Sequence, residues 1–366
     1  MDPVHLIAGA RPNFLKIAPI VRAMKARGMP FRIVHTGQHY DRDMNEVFFE
    51  ELGIPAPDVF MGAGGGSHAE QTARIMVAYE QFVATERPSL TLVVGDVNST
   101  LACAVVAKKA CLPVAHVEAG LRSGDRTMPE EINRLVTDAI SDLFFATEPS
   151  GVEHLLREGK DPAAVHHVGH VMVDNLLYQV EQLRRGDAHA LEGAEFKTRF
   201  ARYGAVTMHR PSNVDDPQVF AGIVGALREI STELPLVFPV HPRTRANLEK
   251  FGLDPGPGVV LTRPLSYMAF LNLWRDAAVV LTDSGGLQEE TTALGVPCVT
   301  MRENTERPVT VEQGSNVLAG TDPVASVAAA RAALAGGGPR GRVPDLWDGR
   351  AAERIVQVLE ARLAPR

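Results

Sequence analysis

Charged side chains concentrate in one glycine-containing segment of the chain. The segment HVEAGLRSGDRTMPEEINR covers residues 116–134 and includes Glu118, Arg122 and Glu130. A further acidic residue, Asp96, lies in the string GDVNST. Both segments follow short apolar runs, so these side chains are expected at strand ends, where they can reach a ligand. Grouped carboxylates often have shifted pKa values and can transfer protons. The pattern therefore predicts acid–base chemistry on a substrate that Arg122 also contacts.

A second pattern indicates an anion-binding site. The string LTDSGGLQEE runs from an apolar strand into Ser284-Gly285-Gly286 and then into a helical pattern. Two glycines allow backbone N–H groups to approach a diphosphate closely at the positive end of a helix. Glu290 follows near the second helical turn, where its carboxylate could accept hydrogen bonds from ribose hydroxyls. These residues predict a nucleotide-binding turn.

Basic and imidazole side chains follow other predicted strands. Arginine supplies a planar fork of donors suited to phosphate, and histidine can act as an acid or a base near neutral pH. We therefore predict that residues of this kind face the same ligand. They are Arg11, Lys16, His209, Arg210, His241 and Arg307.

The elements that must position these residues are short apolar runs alternating with helical patterns. The runs are continuously apolar, which is typical of parallel strands covered by helices on both faces. Ten of them are predicted as strands: Val4–Ala8, Phe31–Thr36, Leu90–Val94, Val114–Val117, Leu143–Ala146, Ala205–Met208, Leu236–Val240, Val259–Thr262, Val279–Thr282 and Pro297–Thr300.

The alternation divides into two halves of similar size. We predict an α/β fold of two Rossmann-like, doubly wound domains facing a cleft, with boundaries at 1–168 and 169–349 and a final helix at 350–366. In open parallel sheets, ligands bind beyond the carboxyl ends of the strands. The candidate residues therefore fall where such a fold places its ligands.

Composition excludes several classes of protein. The 366 residues carry 44 acidic and 37 basic side chains, a net charge of −7. This balance argues against nucleic acid as a partner, because nucleic-acid-binding proteins concentrate positive charge. No apolar run approaches the ~18 residues needed to cross a membrane. The first residues, Met1-Asp2-Pro3 and a short apolar run without a basic region before it, do not predict a secretory signal. We expect a cytoplasmic protein without a membrane partner.

Other motifs are missing. No G-x-G-x-x-G string follows the first strand, which weakens an NAD interpretation, and there is no Walker A or G-x-S-x-G motif. Three cysteines without C-x-x-C spacing argue against a disulfide framework or a zinc knuckle. The string His166-His167-x-x-His170 has no neighbouring cysteine or carboxylate, so we expect no metal.

Taken together, the motifs resemble those of the non-hydrolysing UDP-N-acetylglucosamine 2-epimerases. The resemblance runs from about residue 9 to residue 320 and rests on the strings GARPNFLKIAPI, TGQHYD, GDVNSTLA, HVEAGLRSGD, MPEEINR, VTMHRPSN, LTDSGGLQEE, GVPCVTMR and TERP. It implies a glycosyltransferase-B-like fold, a homodimer, and a final helix that returns to the first domain. The family's usual Q-H-R is Gln38-His39-Tyr40 here, a departure at residues that form an allosteric UDP-GlcNAc site in some members.

The resemblance also implies a role for each matching residue. It implies conversion of UDP-N-acetylglucosamine to UDP-N-acetylmannosamine without a cofactor, by elimination of UDP to a 2-acetamidoglucal and re-addition. Asp96, Glu118, Glu130 and His209 match the catalytic set. Phe270 would lie by the uracil. UDP would be bound by Arg11, Lys16, Ser284, Gly285, Gly286, Glu290 and Arg307.

Other functions compete with this interpretation. A hydrolysing 2-epimerase would release N-acetylmannosamine and UDP, and a close variant would act on a UDP-2,3-diacetamido uronic acid. A glycosyltransferase of the same fold would need an acceptor and would show no exchange of the C2 proton. A non-catalytic sensor of nucleotide sugars would not need several carboxylates beside its diphosphate site. Function must be decided by the site, because one fold carries many activities.

Overall fold

The computed structural model describes residues 2–38, 46–336 and 341–364. The chain divides into two compact units, the first comprising residues 1–175 and 346–366 and the second residues 176–345. The division between Asn175 and Leu176 falls inside a helix, a few residues after the predicted boundary at 168. No helix in the described ranges is long and apolar enough to span a membrane. His39 and Tyr40, which carry the departure from the family's Q-H-R, lie outside the described residues.

Unit 1 is built on a parallel sheet of seven strands in the order β3-β2-β1-β4-β5-β6-β7. Its strands are β1 Val4–Ala8, β2 Phe31–His35, β3 Val59–Phe60, β4 Leu90–Val94, β5 Val114–Val117, β6 Leu143–Ala146 and β7 Val165–His167. Its helices are α1 Arg11–Ala26, α2 Glu46–Leu52, α3 His68–Thr85, α4 Asn98–Lys109, α5 Pro129–Ile140, α6 Pro149–Arg157, the first residues of α7 Val171–Arg185, and the final helix Ala351–Leu363, labelled α16.

Helices cover both faces of this sheet. In β1, Leu6 and Ala8 belong to the core formed with α1 and α16, whereas Ile7 belongs to the core formed with α3 and α4. Successive side chains of a strand point to opposite faces, so a strand buried on both sides must be apolar throughout. The final helix packs on α1, and the carboxylate of Asp174 accepts hydrogen bonds from the first backbone N–H groups of that helix.

Unit 2 repeats the architecture with six parallel strands in the order β10-β9-β8-β11-β12-β13. Its strands are β8 Gly204–Thr207, β9 Leu236–Pro239, β10 Val259–Thr262, β11 Val279–Thr282, β12 Cys298–Thr300 and β13 Asn316–Leu318. Its helices are the remainder of α7, α8 Glu195–Arg199, α9 Pro211–Val214, α10 Pro217–Ser231, α11 Pro242–Phe251, α12 Tyr267–Trp274, α13 Gly285–Leu294, α14 Pro308–Glu312 and α15 Pro323–Leu334.

The two parallel sheets confirm the predicted α/β class. All ten predicted strands are present, and their ends differ from the prediction by at most one residue. Three further strands, β3, β7 and β13, were not predicted, and each lies at the edge of its sheet. They are only two or three residues long, too short for an apolar run to identify them.

Candidate active site

In each unit, several predicted site residues follow the two strands between which the strand order reverses, and others follow the next strand on either side, as Glu118 follows β5 and His241 follows β9. The reversal lies between β1 and β4 in unit 1 and between β8 and β11 in unit 2. A crevice opens at such a point in doubly wound sheets, at the carboxyl ends of the strands. The topology thus brings together segments that are far apart in the sequence.

Glu118 directly follows β5 and has an unusual backbone conformation. Its φ angle is 68°, in the left-handed region that non-glycine residues rarely occupy. Its backbone N–H and that of Ala119 both donate to the carbonyl oxygen of Phe145, at 3.0 and 3.2 Å. Such conformations cost about 1–3 kcal/mol and cluster at functional sites.

The Glu118 carboxylate is buried, and only one of its two oxygens has a partner among the described residues. Oε2 lies 2.5 Å from Nζ of Lys16, which α1 supplies. Oε1 is also buried, and within the described ranges it accepts no hydrogen bond. A buried acceptor without a partner is unusual and calls for a functional explanation. One oxygen of the carboxylate is therefore held by Lys16, and the other faces no donor among the described residues.

Asp96 follows β4 and is held by α5. Its carboxylate forms an ion pair with Arg134, and its carbonyl oxygen accepts a hydrogen bond of 2.8 Å from Nδ2 of Asn133. Arg134 is buried and also pairs with Glu131 at 2.8 Å. Arg134 was not predicted as a site residue, and it orients the predicted Asp96.

Adjacent acidic residues at the start of α5 have different surroundings. Glu131 is buried and accepts hydrogen bonds from the backbone N–H groups of Ser123 and Gly124. Burial alone would raise the pKa of Glu131, but the hydrogen bonds from Ser123, Arg134 and Gly124 outweigh it and lower that pKa. Glu130, the predicted catalytic residue, is partly exposed in the first turn of the helix. Glu131 therefore holds the loop, and Glu130 lies nearer to solvent.

Arg122 is engaged by protein carboxylates. Its Nε and Nη2 donate to Glu158 at 2.9 and 2.7 Å, and its Nη1 lies 2.7 Å from Oδ2 of Asp138. Nη1 also donates to the carbonyl oxygen of Leu121. These contacts use the guanidinium to hold the loop after Glu118. The predicted contact of Arg122 with substrate stays a prediction.

The turn after β1 uses several of its own backbone N–H groups in hydrogen bonds within the turn. The N–H groups of Gly9 and Ala10 donate to Oδ1 of Asn13, and Pro12 has no N–H. The N–H of Asn13 bonds to the carbonyl of Ala10. Arg11 and Lys16 are the predicted anion-binding side chains at this turn. The Arg11 guanidinium lies 5.1 Å from the ring centroid of Phe48.

In unit 2, α13 begins immediately after β11 with the predicted Ser284-Gly285-Gly286. The first N–H groups of a helix have no partner within it, and no acidic residue lies in the first turn of α13. Arg210, which follows β8, lies beside the same turn, because a Cβ atom added to Gly285 would be 3.9 Å from its Nη2. Backbone donors and a guanidinium therefore converge at the predicted diphosphate position.

Asp283 joins the turns that follow β8 and β11. It is fully buried, and its carboxylate accepts hydrogen bonds of 2.9–3.1 Å from the N–H groups of His209 and Arg210. Nδ1 of His209 lies 3.2 Å from Oδ1 of Asp283. This role was not predicted, although an aspartate between a buried strand and two glycines was a visible signal.

Predicted binding residues meet in a small open cavity of unit 2. The cavity has a volume of about 160 Å³ and is lined by Phe270, His209 and His241, together with Thr207 and apolar side chains. An aromatic ring at the wall of such a cavity can stack on a planar base. The structure thus places Phe270 in the same cavity as His209.

Glu290 is buried on α13. Its Oε1 accepts a hydrogen bond of 3.0 Å from the hydroxyl of Tyr267. Burial raises its pKa to about 7, with a contribution from the neighbouring Glu289, although the Tyr267 hydrogen bond opposes the shift. The Glu290 side chain therefore changes its charge near neutral pH.

Arg307 directly precedes α14 and pairs with Glu289 of α13. The residue before it, Glu306, lies near Gly285, since an added Cβ there would be 3.8 Å from Oε2. Burial would raise the pKa of Glu306, but the hydrogen bond and charge of Arg302 lower it to about 2. Within the described ranges, no three His, Cys, Asp or Glu side chains are grouped so as to hold a metal ion.

The chain resembles known proteins over nearly its whole length. A family model described as UDP-N-acetylglucosamine 2-epimerase matches residues 22–360. The UDP-N-acetylglucosamine 2-epimerase of Methanocaldococcus jannaschii is 39% identical over 364 residues, which covers 97% of this chain and 98% of that protein. The chain belongs to the UDP-N-acetylglucosamine 2-epimerase family. The predicted resemblance to UDP-N-acetylglucosamine 2-epimerases is thereby confirmed.

Two further comparisons, one with a solved structure and one with a second relative, agree with this assignment. A crystal structure of the M. jannaschii UDP-GlcNAc 2-epimerase in complex with UDP-GlcNAc and UDP aligns with a TM-score of 0.86 at 38% identity, covering 98% of this chain and 99% of that one. The UDP-2,3-diacetamido-2,3-dideoxy-D-glucuronate 2-epimerase of Pseudomonas aeruginosa is 41% identical over 332 residues, or 90% of this chain and 91% of that protein. Family members thus differ in the sugar on which they act.

Proposed function

We propose that this chain interconverts UDP-N-acetylglucosamine and UDP-N-acetylmannosamine without hydrolysis. The observation that carries the proposal is the state of the Glu118 carboxylate, which is buried and belongs to a residue whose backbone lies in the left-handed region. One of its oxygens lies beside Lys16, and the other accepts no hydrogen bond from the described residues. Removal of a carbon-bound proton requires a base of this kind, desolvated and fixed in place.

Unit 2 binds the nucleotide in this proposal. The start of α13 with Ser284, Gly285 and Gly286 binds the diphosphate, helped by Arg210 and Arg307. Phe270 and His241 lie by the uracil, and Glu290 accepts hydrogen bonds from the ribose. Removing one donor from such an oxyanion site typically raises a barrier by roughly 3 kcal/mol.

The C2 proton becomes removable only as the anomeric C1–O bond breaks. Positive charge then grows on C1, and the diphosphate must be stabilised as it leaves. One of Asp96, Glu118 and Glu130 takes the proton from C2, giving UDP and a 2-acetamidoglucal. UDP then adds back to C1 while a proton is delivered to the opposite face of C2. His209 assists a proton transfer or stabilises the departing phosphate.

The exposed surface of α5 supports assembly as a homodimer. Ile132 and Val136 lie one helical turn apart and are 42% and 37% exposed. Apolar side chains repeated on an exposed helix face are typical of an interface between copies of a protein.

Deuterated water provides the test of the proposed function. UDP-N-acetylglucosamine incubated with the protein in D₂O should gain deuterium at C2 of both epimers, which a proton NMR time course follows. A hydrolysing epimerase would instead accumulate free N-acetylmannosamine and UDP. Turnover without exchange at C2 would contradict elimination. If UDP-N-acetylglucosamine is not turned over but a UDP-2,3-diacetamido uronic acid exchanges its C2 proton, the substrate would instead be of the kind named for the Pseudomonas relative.

Nucleotide affinity should depend on the ionisation of Glu290. Its pKa in the free protein is raised to about 7, so the neutral form dominates below that pH and the carboxylate above it. Since the carboxylate is the form that accepts ribose hydroxyls, affinity for UDP should be full above pH 7. It should weaken by up to about tenfold per pH unit as the pH falls through 7.

Calorimetry between pH 6 and 8.5 measures this dependence. UDP itself titrates near pH 6, so the Glu290→Gln variant provides the reference for the ligand's own ionisation. The variant should bind more weakly and with a flatter pH profile than the unaltered protein. If UDP affinity depends on pH in the same way in both proteins, the assignment of Glu290 to the ribose site would be refuted.

A further inference from the structure

Asp138 lies on the buried face of α5, outside the residues predicted for the site. It is fully buried, and its two carboxylate oxygens contact different segments. Oδ1 lies 2.6 Å from Nδ1 of His116 in β5. Oδ2 accepts a hydrogen bond of 3.0 Å from the N–H of Gly120 and lies 2.7 Å from Nη1 of Arg122.

His116 extends these contacts to the strand beside it. It is fully buried, and its Nε2 lies 2.9 Å from the carbonyl oxygen of Gly95. Both ring nitrogens therefore face acceptors. His116 thus links Asp138 on α5 to the end of β4, beside Asp96.

Several contacts keep Asp138 ionised. Burial would raise the pKa of its carboxyl, but the charges and hydrogen bonds of His116 and Arg122 outweigh burial and lower it. The N–H of Gly120 contributes a further donor to Oδ2. A buried charge with partners at both oxygens is the arrangement in which ionisation is stable.

Both contacts lead to turns that carry predicted catalytic carboxylates. Gly95 immediately precedes Asp96, and Gly120 follows Glu118 by two positions. Gly120 has a φ of 81°, and an added Cβ would lie 2.1 Å from the carbonyl oxygen of Gly151. The turn after Glu118 is therefore closely packed, and Asp138 holds it through a backbone N–H.

We propose that Asp138 is a positioning residue that, together with His116, fixes the Asp96 and Glu118 turns relative to each other. The inference rests on the proposed function, because it assigns Asp138 an effect on that reaction. A left-handed residue such as Glu118 keeps its conformation only where the surrounding structure determines it from several sides. Phe145 supplies one such contact, and Asp138 supplies the other through Gly120.

The Asp138→Asn variant tests the proposal, with Asp142→Asn as a matched control. Asp142 also accepts a backbone hydrogen bond, from Val114 at 2.8 Å, and pairs with a cation, Lys108 at 2.7 Å, but at the opposite end of β5. Asp138→Asn should lower kcat by about 100-fold, the effect expected of an ångström-scale misplacement, and change the Kd for UDP by less than about threefold. Asp142→Asn should keep kcat within about twofold.

Additional readouts separate positioning from a loss of folded protein. His116→Gln should likewise lower kcat with little change in the Kd for UDP. The kcat of the double variant should be no lower than that of the poorer single variant. If Asp138→Asn does not fold, His116→Gln carries the test. In ¹⁵N-histidine NMR, the signals absent from His116→Gln belong to His116, and Asp138→Asn should shift them because it changes the partner of Nδ1.

The outcomes distinguish this proposal from the function on which it rests. A kcat for folded Asp138→Asn matching that of Asp142→Asn would overturn the positioning role while leaving the function standing. His116 signals that Asp138→Asn leaves unchanged would also overturn the proposal, because they would show that the two side chains are not in contact. An unaltered protein without epimerase turnover would refute the proposed function, and the His116 signals would still test the contact with Asp138.

Discussion

Replacing Glu118 by glutamine should abolish turnover, with a loss of at least about 1,000-fold, while UDP still binds. Glutamine keeps the size and shape of the side chain but cannot accept the C2 proton. A positioned base typically contributes 10²–10⁴-fold, and Glu118 also balances the charge of Lys16, which lies 2.5 Å away. The proposed nucleotide-binding residues of unit 2 are unchanged, so the Kd for UDP should stay within about threefold. Steady-state kinetics and calorimetry measure the two quantities.

Glu360→Gln is the matched control for this substitution. Glu360 also belongs to unit 1 and pairs with a cation, Arg27 at 2.6 Å, but on the surface. Exposed ion pairs contribute little, so this variant should retain turnover within about twofold. Deuterium entry at C2 should disappear in Glu118→Gln and persist in Glu360→Gln. Near-normal turnover by folded Glu118→Gln would refute the assignment of Glu118 as a catalytic carboxylate.

The central strands could be predicted because burial on both faces leaves a clear apolar run. In β4, for example, Leu92 and Val94 face one core and Val93 the other. The edge strands gave no such signal. β7 consists of Val165, His166 and His167, all only partly buried. Its pairing with β6 is decided by the rest of the sheet, which overrides local preference.

The residues that follow the strands were predicted for a related reason, since parallel topology determines where strands end. The residues that hold these strand-end residues in place were not predicted. In α5 the buried side chains are polar, including Arg134 and Asp138, while Ile132 and Val136 are exposed. Sequence interpretation normally assigns the apolar stripe of a helix to the core. The reversed pattern of α5 was the available signal. The partners of its buried side chains could not be identified, because residues such as Asp96, which pairs with Arg134, lie dozens of positions away in the sequence.

Asp283 performs in unit 2 a task like that of Asp138 in unit 1, and its replacement by asparagine should reduce kcat by about 1,000-fold. Its carboxylate holds the N–H groups of His209 and Arg210 and lies 3.2 Å from Nδ1 of His209. A carboxylate beside Nδ1 favours the tautomer with the proton there, leaving Nε2 free to accept one. An asparagine amide would donate to Nδ1 and favour the opposite tautomer. In serine proteases the equivalent change of aspartate to asparagine costs about 10⁴-fold.

Asp216→Asn separates this effect from the loss of any capping aspartate in unit 2. Asp216 also accepts two backbone hydrogen bonds, from Gln218 and Val219 at the start of α10, where asparagine is an equally good cap. It should therefore leave kcat within about twofold. If Asp283 acts through the imidazole, adding Asp283→Asn to His209→Asn should cause little further loss, because residues that act as a unit are not additive. Independent, multiplying losses would instead show that Asp283 acts on the reaction by a route other than His209.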